Sequence, residues 1–425
     1  MEVRAEQQAI MLWNKTSGRT GYVNGAELQV LSDWVNHGCH GQQERQGQQQ
    51  GHQRDQGRPH AFIEKLAQLD LLPKDPQALS DALVLCQQVQ SPLNAWAAPE
   101  SLHIELTSAC PLKCPQCYKA LDEQMLDFQF LQQLISQAAE MKVFQLAFGG
   151  GEPLLYPWLD EAILLATTHN MSSSITTSGA TLTADKLQQL IQSGLNHIQV
   201  SLNGSSKEVH ALSRNGFTLA LRALTWLQQA STVSPFSYGI NWVARKDNLH
   251  DWEALVKLAK QYQCNNINVL RYKPSQTENF ETHSLNQDET YHLAEKIKKT
   301  KGIKINVDSA YANLLCHLNQ RTGFMTGCGA GRRFMAVNVY GEFMPCSHVQ
   351  MKTKADNLKD FWQNSPLLAS FRHLEETVSA PCKTCSYLSG CRGCRAISER
   401  DQNFCAGDAR CFLAQTSQAQ QAPTA

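Results

Sequence analysis

Three cysteines lie close together in one short segment, Cys110-Pro111-Leu112-Lys113-Cys114-Pro115-Gln116-Cys117-Tyr118. The segment follows an apolar run, 102–106, which predicts a β-strand. Three thiolates on so short a loop can hold three irons of a [4Fe–4S] cube, because soft sulfur ligands select such clusters and the spacing lets one loop cover one face. The fourth iron then has no protein ligand. The loop therefore predicts chemistry at an open coordination site.

A structural zinc site is the alternative interpretation of these cysteines. Such a site needs four tetrahedral ligands, which His103 could complete, since the next cysteine is Cys264. A second motif favours the cluster, because the apolar run 145–148 leads into Gly149-Gly150-Gly151-Glu152-Pro153. Glycines let the backbone approach a ligand, and Glu152 can receive a cationic amine.

Together the two motifs resemble the radical S-adenosylmethionine (SAM) superfamily, with its CxxxCxxC loop and following GGEP motif. The resemblance implies that Cys110, Cys114 and Cys117 hold a [4Fe–4S] cluster whose open iron chelates the amine and carboxylate of SAM. It also implies that the end of the GGEP strand holds the SAM amine. The cofactor-binding residues that the resemblance implies are Tyr118, Gly149, Gly150, Gly151, Glu152, Ser178, Ser201, Asn203 and Arg245.

Five of these residues have more specific implied roles. Tyr118 would lie against the adenine of SAM, and Ser178, Ser201 and Asn203 would contact its ribose and carboxylate. Arg245 would pair with the carboxylate. Ordinary turn chemistry is the alternative for the serines and the asparagine. A solvated charge is the alternative for Arg245.

Composition limits the class of protein. The chain has 425 residues, enough for two or three domains, and 42% of them are hydrophobic. Lys+Arg and Asp+Glu both number 38, so a formal charge of zero gives no support for a nucleic-acid or membrane partner. We expect a cytoplasmic protein, because no apolar run is long enough for a membrane span or a signal core. Fifteen cysteines suit metal binding in a reducing compartment better than a disulfide framework.

Residues 100–309 alternate apolar strands with amphipathic helices, which predicts βα units and a parallel sheet. Strands are predicted at 102–107, 145–149, 173–178, 197–202, 238–244 and 266–272, and helices at 128–141, 157–168, 183–193, 217–229 and 249–263. The six units resemble the partial (β/α)6 barrel of radical SAM enzymes, so the fold class is α/β. Functional residues are expected at the carboxyl ends of the strands. Arg271-Tyr272-Lys273-Pro274, after the sixth strand, is a candidate to face the substrate.

Residues 1–99 are predicted to form a separate α+β domain. The runs 10–14 and 20–23 predict a β-hairpin, and apolar periodicity predicts helices over 25–34 and 62–69. This order resembles the small winged-helix (PqqD-like) peptide-recognition element of many peptide-modifying enzymes. A packing domain without that role is the alternative. The polar run 37–60, which contains His40, His52 and His60, predicts a disordered loop.

Cysteine density rises again in residues 310–425, around a hairpin predicted over 335–345. The layout resembles the SPASM domain, a cysteine-rich C-terminal iron–sulfur domain that binds two auxiliary [4Fe–4S] clusters. Carried over to this sequence, the ligands of one cluster would be Cys328, Cys346 and Cys394, completed by Cys316. The ligands of the other would be Cys382, Cys385, Cys391 and Cys411.

Several alternatives remain for this region. Cys405 competes with Cys411, and without Cys316 the first auxiliary cluster would keep an open iron. Two four-cysteine zinc sites are a further alternative. The last gap of the cysteine array contains two residues, Arg392 and Gly393, where the SPASM pattern has three. A similar shortened array occurs in haem-pathway members of the superfamily. Cys39, Cys86 and Cys264 stand alone, as buried cysteines often do.

The three predicted domains together resemble the maturases of ribosomally made precursor peptides. The resemblance implies a precursor peptide as substrate and an electron donor such as flavodoxin or ferredoxin. The products would be thioether or carbon–carbon crosslinks, or inverted stereocentres. No catalytic residue is indicated beyond the cofactor ligands. The alternatives are a haem- or tetrapyrrole-pathway enzyme and a non-enzymatic iron–sulfur or zinc protein, for which the GGEP motif would have no purpose.

Overall fold

The chain divides into two units, Met1–Ala98 and Pro99–Ala425. The computed structural model describes residues 1–15, 19–36, 57–73, 76–119, 122–234, 236–275, 278–318, 327–400, 403–408 and 410–413, without the side chains of 57–60 and 400. His40, His52 and Cys39 lie outside the described residues, as does most of the predicted loop. His60 lies in a helix that begins at Gly57.

The first unit contains a three-stranded antiparallel sheet in the order β1-β2-β3 and three helices. Its elements are β1 (Glu2–Glu6), β2 (Ala9–Asn14), β3 (Arg19–Asn24), α1 (Gly25–Asn36), α2 (Gly57–Gln68) and α3 (Gln77–Leu85). The predicted hairpin corresponds to β2 and β3, and the predicted helices to α1 and α2. Residues from all three helices share a core with Ile10, Leu12 and Val23.

The structure contains strand β1, which the sequence analysis does not predict. Its charged residues Arg4 and Glu6 are buried and form an ion pair, with Nε and Oε1 2.8 Å apart. The sequence does not reveal this pairing, and three charged residues among five argue against a buried strand. The peptide-recognition role of this unit stays a prediction.

The second unit is built on a nine-stranded sheet in the order β10-β9-β8-β7-β6-β5-β4-β11-β12. The strands are β4 (Ser101–Thr107), β5 (Gln145–Gly150), β6 (Ser172–Thr177), β7 (His197–Ser201), β8 (Ser237–Ala244), β9 (Asn266–Arg271), β10 (Lys304–Val307), β11 (Phe334–Val337) and β12 (Phe343–Met344). Neighbours from β4 to β10 pair in parallel. The six predicted strands, β4 to β9, are confirmed to within one residue at each end.

Helices follow the strands of this sheet and complete the α/β architecture. They are α4 (Phe128–Glu140), α5 (Leu159–Thr168), α6 (Ala184–Gln192), α7 (Lys207–Ala211), α8 (Phe217–Ser231), α9 (Trp252–Gln261), α10 (Phe280–His283), α11 (Gln287–Lys299), α12 (Ala312–His317), α13 (Leu358–Asn364), α14 (Pro366–Arg372), α15 (Leu374–Thr377), α16 (Leu388–Cys391) and α17 (Arg395–Arg400). Helix α4 begins where the Asp127 side chain accepts a hydrogen bond from the Phe130 amide, and it buries Leu131, Leu134 and Ile135. All five predicted helices are present.

The cysteine-rich part of the chain joins the sheet directly. The predicted hairpin is formed by β11 and β12, and β11 pairs in parallel with β4, from Phe334 opposite Ser101 to Val337 opposite Ile104. The predicted domain boundary at 309/310 therefore falls within one hydrogen-bonded sheet, and it stays a prediction. No helix in the described part of the chain is long and apolar enough to cross a membrane.

Candidate functional site

A cavity of about 430 Å³ lies at the carboxyl ends of the parallel strands. Two groups of three cysteines line it. We call Cys110, Cys114 and Cys117 the core cysteines, and Cys328, Cys346 and Cys394 the inner cysteines. The sequence separates these groups by more than two hundred residues, and the fold brings them to one cavity. This is the arrangement expected of a parallel sheet whose functional residues lie at one edge.

Side-chain amides hold the loop of the core cysteines. Asn203, which follows β7, donates from Nδ2 to Oε1 of Gln116 at 2.9 Å and to Oγ of Ser213 at 2.8 Å. Asn215 donates to the carbonyl oxygen of Lys113 at 2.8 Å. Asn203 itself does not line the cavity. Its contacts position the cysteine loop, and its predicted contact with SAM stays a prediction.

Two glycines let β5 meet the cysteine loop closely. A Cβ on Gly150 would lie 2.2 Å from the carbonyl oxygen of Thr107, and Gly150 has a φ of +123°. A Cβ on Gly151 would lie 2.3 Å from the carbonyl oxygen of Ala109. By contrast, a Cβ on Gly149 would meet nothing within 4 Å. Gly150 and Gly151 are therefore needed for backbone packing, while Gly149 leaves open space along the cavity.

Glu152 is fully buried and does not line the cavity. Its carboxylate accepts hydrogen bonds from Thr177 Oγ1 at 2.7 Å, from the Ser178 amide at 2.9 Å and from Ser178 Oγ at 2.5 Å. Ser178 does line the cavity, as does Ser201. Glu152 thus fixes the end of β6 and the orientation of Ser178. Its predicted contact with the SAM amine stays a prediction.

Arg245 also lies away from the cavity. Its guanidinium is fully buried and pairs with Glu278 at 2.5 Å and with Asp247 at 2.7 Å. A different arginine, Arg214, lines the cavity, and its Nε is buried without an acceptor among the described residues. No sequence motif marks Arg214, because it lies in an irregular loop after α7.

Two ion pairs line the cavity. Lys273 donates to Asp308 at 2.8 Å, and Lys119 pairs with Glu105. Burial lowers the pKa of Lys119 to about 8. Arg271 and Tyr272 also line the cavity, so three residues of the segment 271–274 do so, and their predicted role toward the substrate stays a prediction. Sequence reasoning missed Asp308 and Glu105, although the alternation of β4 could have indicated that Glu105 points opposite to Leu106.

Aromatic contacts connect the core cysteines with the hairpin region. The ring of Tyr118 stacks on the imidazole of His348, with centroids 4.3 Å apart. His103 stacks on Phe334 at 4.9 Å, and burial lowers the pKa of His103 to about 4. Both histidines line the cavity. The predicted contact of Tyr118 with adenine stays a prediction.

A third cysteine group lines a smaller cavity of about 20 Å³. We call Cys382, Cys385, Cys391 and Cys411 the outer cysteines. They are the residues predicted to ligate the second auxiliary cluster, which stays a prediction. Cys316 lies beside this group, because it packs with Phe412, Cys391 and Cys411. The structure therefore places Cys316 with the outer cysteines, and its predicted role as a ligand of the first auxiliary cluster stays a prediction. Helix α12 directs Cys316 toward Phe412 and the outer cysteines. The spacing of the cysteines in the sequence does not reveal this position.

The side chains around these groups suit iron–sulfur clusters. Among the described residues, no three Cys, His, Asp or Glu side chains converge closely enough to hold a single metal ion. A cluster instead needs each thiolate on a different iron, spread around one shared space. Arg332, Arg392 and Arg395 are almost fully buried beside the inner and outer cysteines. Buried cations need anionic partners, which thiolate-ligated clusters provide.

The sequence matches two family models. The Radical SAM superfamily model covers residues 104–259, and the SPASM model, described as an iron–sulfur cluster-binding domain, covers residues 328–386. The PqqA peptide cyclase of Gluconobacter oxydans is 29% identical and aligns with 71% of this chain and 87% of its own length. The mycofactocin maturase MftC of Mycolicibacterium smegmatis is 28% identical and aligns with 70% of this chain and 78% of its own length. The AdoMet-dependent heme synthase of Methanosarcina barkeri is 25% identical and aligns with 70% of this chain and 92% of its own length.

The fold is also similar to that of a solved structure. The crystal structure of Streptococcus suis SuiB bound to S-adenosylmethionine aligns with 96% of this chain and 98% of SuiB, with a TM-score of 0.70 and 17% identity. At this identity the likeness concerns the fold alone.

Proposed function

We propose that this chain, which belongs to the radical SAM superfamily and carries a SPASM domain, is an enzyme that modifies a precursor peptide. Radical SAM and SPASM domains imply SAM and iron–sulfur clusters as cofactors. The peptide cyclase and the maturase among its relatives support a peptide substrate. The observation that carries the proposal is the single cavity lined by both the core and the inner cysteines.

The core cysteines would hold the SAM-binding [4Fe–4S] cluster. When bound and reduced, such a cluster would supply the electron for reductive cleavage of SAM. Gly149, Ser178 and Ser201 line the space beside the core cysteines, which supports contacts between these residues and SAM. Glu152 would act through Ser178. Arg214 is better placed than Arg245 for an anionic group in the cavity.

The inner and outer cysteines would hold two auxiliary [4Fe–4S] clusters. The outer group supplies four thiols and the inner group three. The inner cluster would therefore keep one iron without a cysteine ligand from the described residues. Its location in the wall of the SAM cavity supports a role close to the substrate.

Crosslink formation fits this cavity better than epimerisation. A crosslink removes two hydrogens from the peptide, one as an atom and one as a proton with a separate electron. The inner cysteines provide a site for an electron acceptor in the same cavity, and Asp308 and Glu105 are carboxylates that line it. Epimerisation has no net loss of electrons and needs no such acceptor. We therefore propose a thioether or carbon–carbon crosslink as the product.

The unit Met1–Ala98 would bind the leader segment of the precursor peptide. Strand β3 lies at one edge of its sheet, with Thr20, Tyr22 and Asn24 exposed. An extended peptide can add to such an edge by main-chain hydrogen bonds. Binding of the leader would raise the effective concentration of the core peptide at the cavity. We further propose a cytoplasmic location and reduction by a flavodoxin or ferredoxin.

Anaerobic reconstitution followed by iron counting and a SAM-cleavage assay tests the cofactor part of the proposal. Wild-type protein should hold about twelve irons and release 5′-deoxyadenosine when reduced. Cys114→Ala should abolish cleavage, and Cys385→Ala should lose the outer cluster alone. Cys264→Ala, a buried cysteine away from the three groups, is the matched control. Zinc in place of iron, or no cleavage by wild type, would contradict the proposal.

Mass spectrometry tests the reaction type. Small peptides encoded beside the gene are incubated with reduced enzyme and SAM in deuterated water. A crosslink gives a loss of two hydrogens, whereas epimerisation gives a gain of deuterium without that loss. Deletion of residues 1–98 should reduce modification of a leader-containing peptide while SAM cleavage persists.

A tetrapyrrole substrate is the second candidate. The short gap between Cys391 and Cys394, together with the heme synthase relative, supports it. Conversion of a porphyrinoid by the reduced enzyme, combined with no effect of deleting residues 1–98, would favour this candidate over the peptide.

A further inference from the structure

Arg395 is a buried cation with unused hydrogen-bond donors. It directly follows Cys394 at the start of α17, and only 1% of its surface is exposed. Its Nη1 donates to the carbonyl oxygens of Phe404 at 2.8 Å and Ala406 at 3.0 Å. Within the described ranges, its Nε and Nη2 are buried and find no acceptor. An arginine is always charged, and burying its donors without partners is costly.

Arg395 lies between the inner and outer cysteines. It lines the large cavity together with the inner cysteines. On its other side its Nη2 lies close to Gly393, which lines the small cavity together with the outer cysteines. The Cys382 sulfur accepts a hydrogen bond from the Asp408 amide at 3.3 Å.

The shortened cysteine array makes room for this side chain. Gly393, one of the two residues between Cys391 and Cys394, has a φ of +61°. A Cβ at Gly393 would lie 2.7 Å from Nη2 of Arg395. The absence of a Cβ at Gly393 therefore allows the guanidinium to approach the loop that carries the outer cysteines.

No carboxylate in the described part of the chain neutralises Arg395. Asp408 is close, but it is bound by Arg271, with oxygen–nitrogen distances of 2.5 Å and 3.1 Å. Glu375 pairs with Arg392 instead. An anionic group that the protein itself does not supply is therefore the natural partner of Arg395.

We propose that Arg395 is a positioning residue whose free donors and charge face the auxiliary cluster of the outer cysteines and raise its reduction potential. Positive charge and hydrogen bonds to cluster sulfurs stabilise the added electron. This inference rests on the proposed outer cluster, but not on the substrate or the reaction type.

An EPR-monitored redox titration of reconstituted full-length protein tests the inference without substrate or turnover. The titration uses a background in which all three core cysteines are alanine, so that only the auxiliary clusters contribute. Cys346→Ala in the same background identifies the outer signal. Arg395→Gln should lower the equilibrium constant for reduction of the outer cluster at least tenfold. For one electron this is a negative shift of its reduction potential by 59 mV or more.

Two further variants make the result decisive. Arg395→Lys keeps the charge but loses the planar fork, so its potential should lie between those of wild type and Arg395→Gln. Arg372→Gln is the matched control, since Arg372 is similarly buried but donates to the carbonyl oxygens of Gly331 and Trp362. It should leave the potential unchanged.

An unchanged outer potential in Arg395→Gln, an equal shift in Arg372→Gln, or a shift confined to the inner cluster would overturn the inference. If Arg395→Gln fails to hold the outer cluster, Arg395→Lys decides: a lowered potential supports the inference and an unchanged one overturns it. Absence of an outer cluster from wild type would instead contradict the proposed cofactor content. The two failures are therefore distinguishable.

Discussion

The core cysteines and the outer cysteines lie in the same unit of the chain, yet different interactions hold each group in place. The core cysteines occupy one loop at the end of β4, and this loop rests on the glycine backbone of β5 and on amide hydrogen bonds from Asn203. The outer cysteines come from separate short helices and loops, among buried arginines such as Arg392 and Arg395. Backbone packing therefore dominates the first site, and buried charge dominates the second. Substitutions that affect one kind of interaction should distinguish the two sites.

The largest effect is expected where backbones meet at the core cysteines. Gly150→Ala forces a Cβ to within 2.2 Å of the Thr107 oxygen at a φ of +123°. We expect a loss of about 4–6 kcal/mol in the free energy of unfolding, near the upper end of combined strain and overpacking. Gly149→Ala is the matched control, and its loss should stay within about 1 kcal/mol. Urea unfolding measures both, and equal losses would refute the role of backbone packing.

A smaller effect is expected where charge holds the outer region. Arg271, at the end of β9, pairs with Asp408 near the outer cysteines, and both side chains are buried. Arg271→Gln should cost about 3–5 kcal/mol, because it leaves a buried carboxylate unpaired. In the exposed pair of Lys296 and Glu253, Lys296→Ala should cost less than about 1 kcal/mol. Similar costs for the buried and the exposed pair would contradict the importance of buried charge here.

Acid should weaken the core site through buried histidines, of which His210 contacts the cysteine loop's supporting amides. Burial lowers the pKa of His210 to about 4, whereas an unfolded histidine titrates near 6.5. The neutral ring accepts from the Asn203 amide at Nδ1 and donates to the Asn215 carbonyl from Nε2, both at 3.2 Å. Between pH 6.5 and 4 the unfolded state binds more protons, so stability should fall as pH drops through this window. The contribution of His210 to the loss from pH 7 to pH 5 should be about 2 kcal/mol.

Unfolding at several pH values measures this loss, with His210→Gln as the comparison. The variant should have a flatter pH profile, because it removes the titrating group. A profile as steep as that of wild type would assign the acid sensitivity to other groups.

The smallest effect is expected from Cys316→Ser, which tests the grouping of the cysteines. Cys316 contacts Cys391 and does not line either cavity. Iron content and the EPR signal of the inner cluster should be unchanged, with a stability loss below about 1 kcal/mol. Loss of irons from the inner cluster would restore the grouping expected from the sequence.

The sequence predicts the site of the core cysteines, where backbone packing dominates, better than the site of the outer cysteines, where buried charge dominates. Strands β4 to β9 and the core loop follow from apolar periodicity and from contiguous motifs. Cysteine spacing does not indicate that Cys316 lies beside the outer cysteines, because this position depends on packing of α12 against Phe412, which lies almost a hundred residues away. Arg245 stands at a strand end like a ligand-binding arginine, but Asp247 and Glu278 occupy its guanidinium. Glu278 lies 33 residues away and becomes a neighbour of Arg245 only in the folded chain, so spacing alone cannot identify it.

The pairing of β11 with β4 has a consequence for synthesis of the chain. β4 ends at Thr107, and β11 begins about 230 residues later, at Phe334. At roughly 5–20 residues per second, the ribosome leaves this side of β4 uncovered for about 10–45 s. During that interval the nascent chain presents an open strand edge beside unprotected thiols, a hazard for aggregation and oxidation. Cotranslational shielding of this edge, by a chaperone or by early delivery of iron and sulfide, would then set the yield of active protein in the cell.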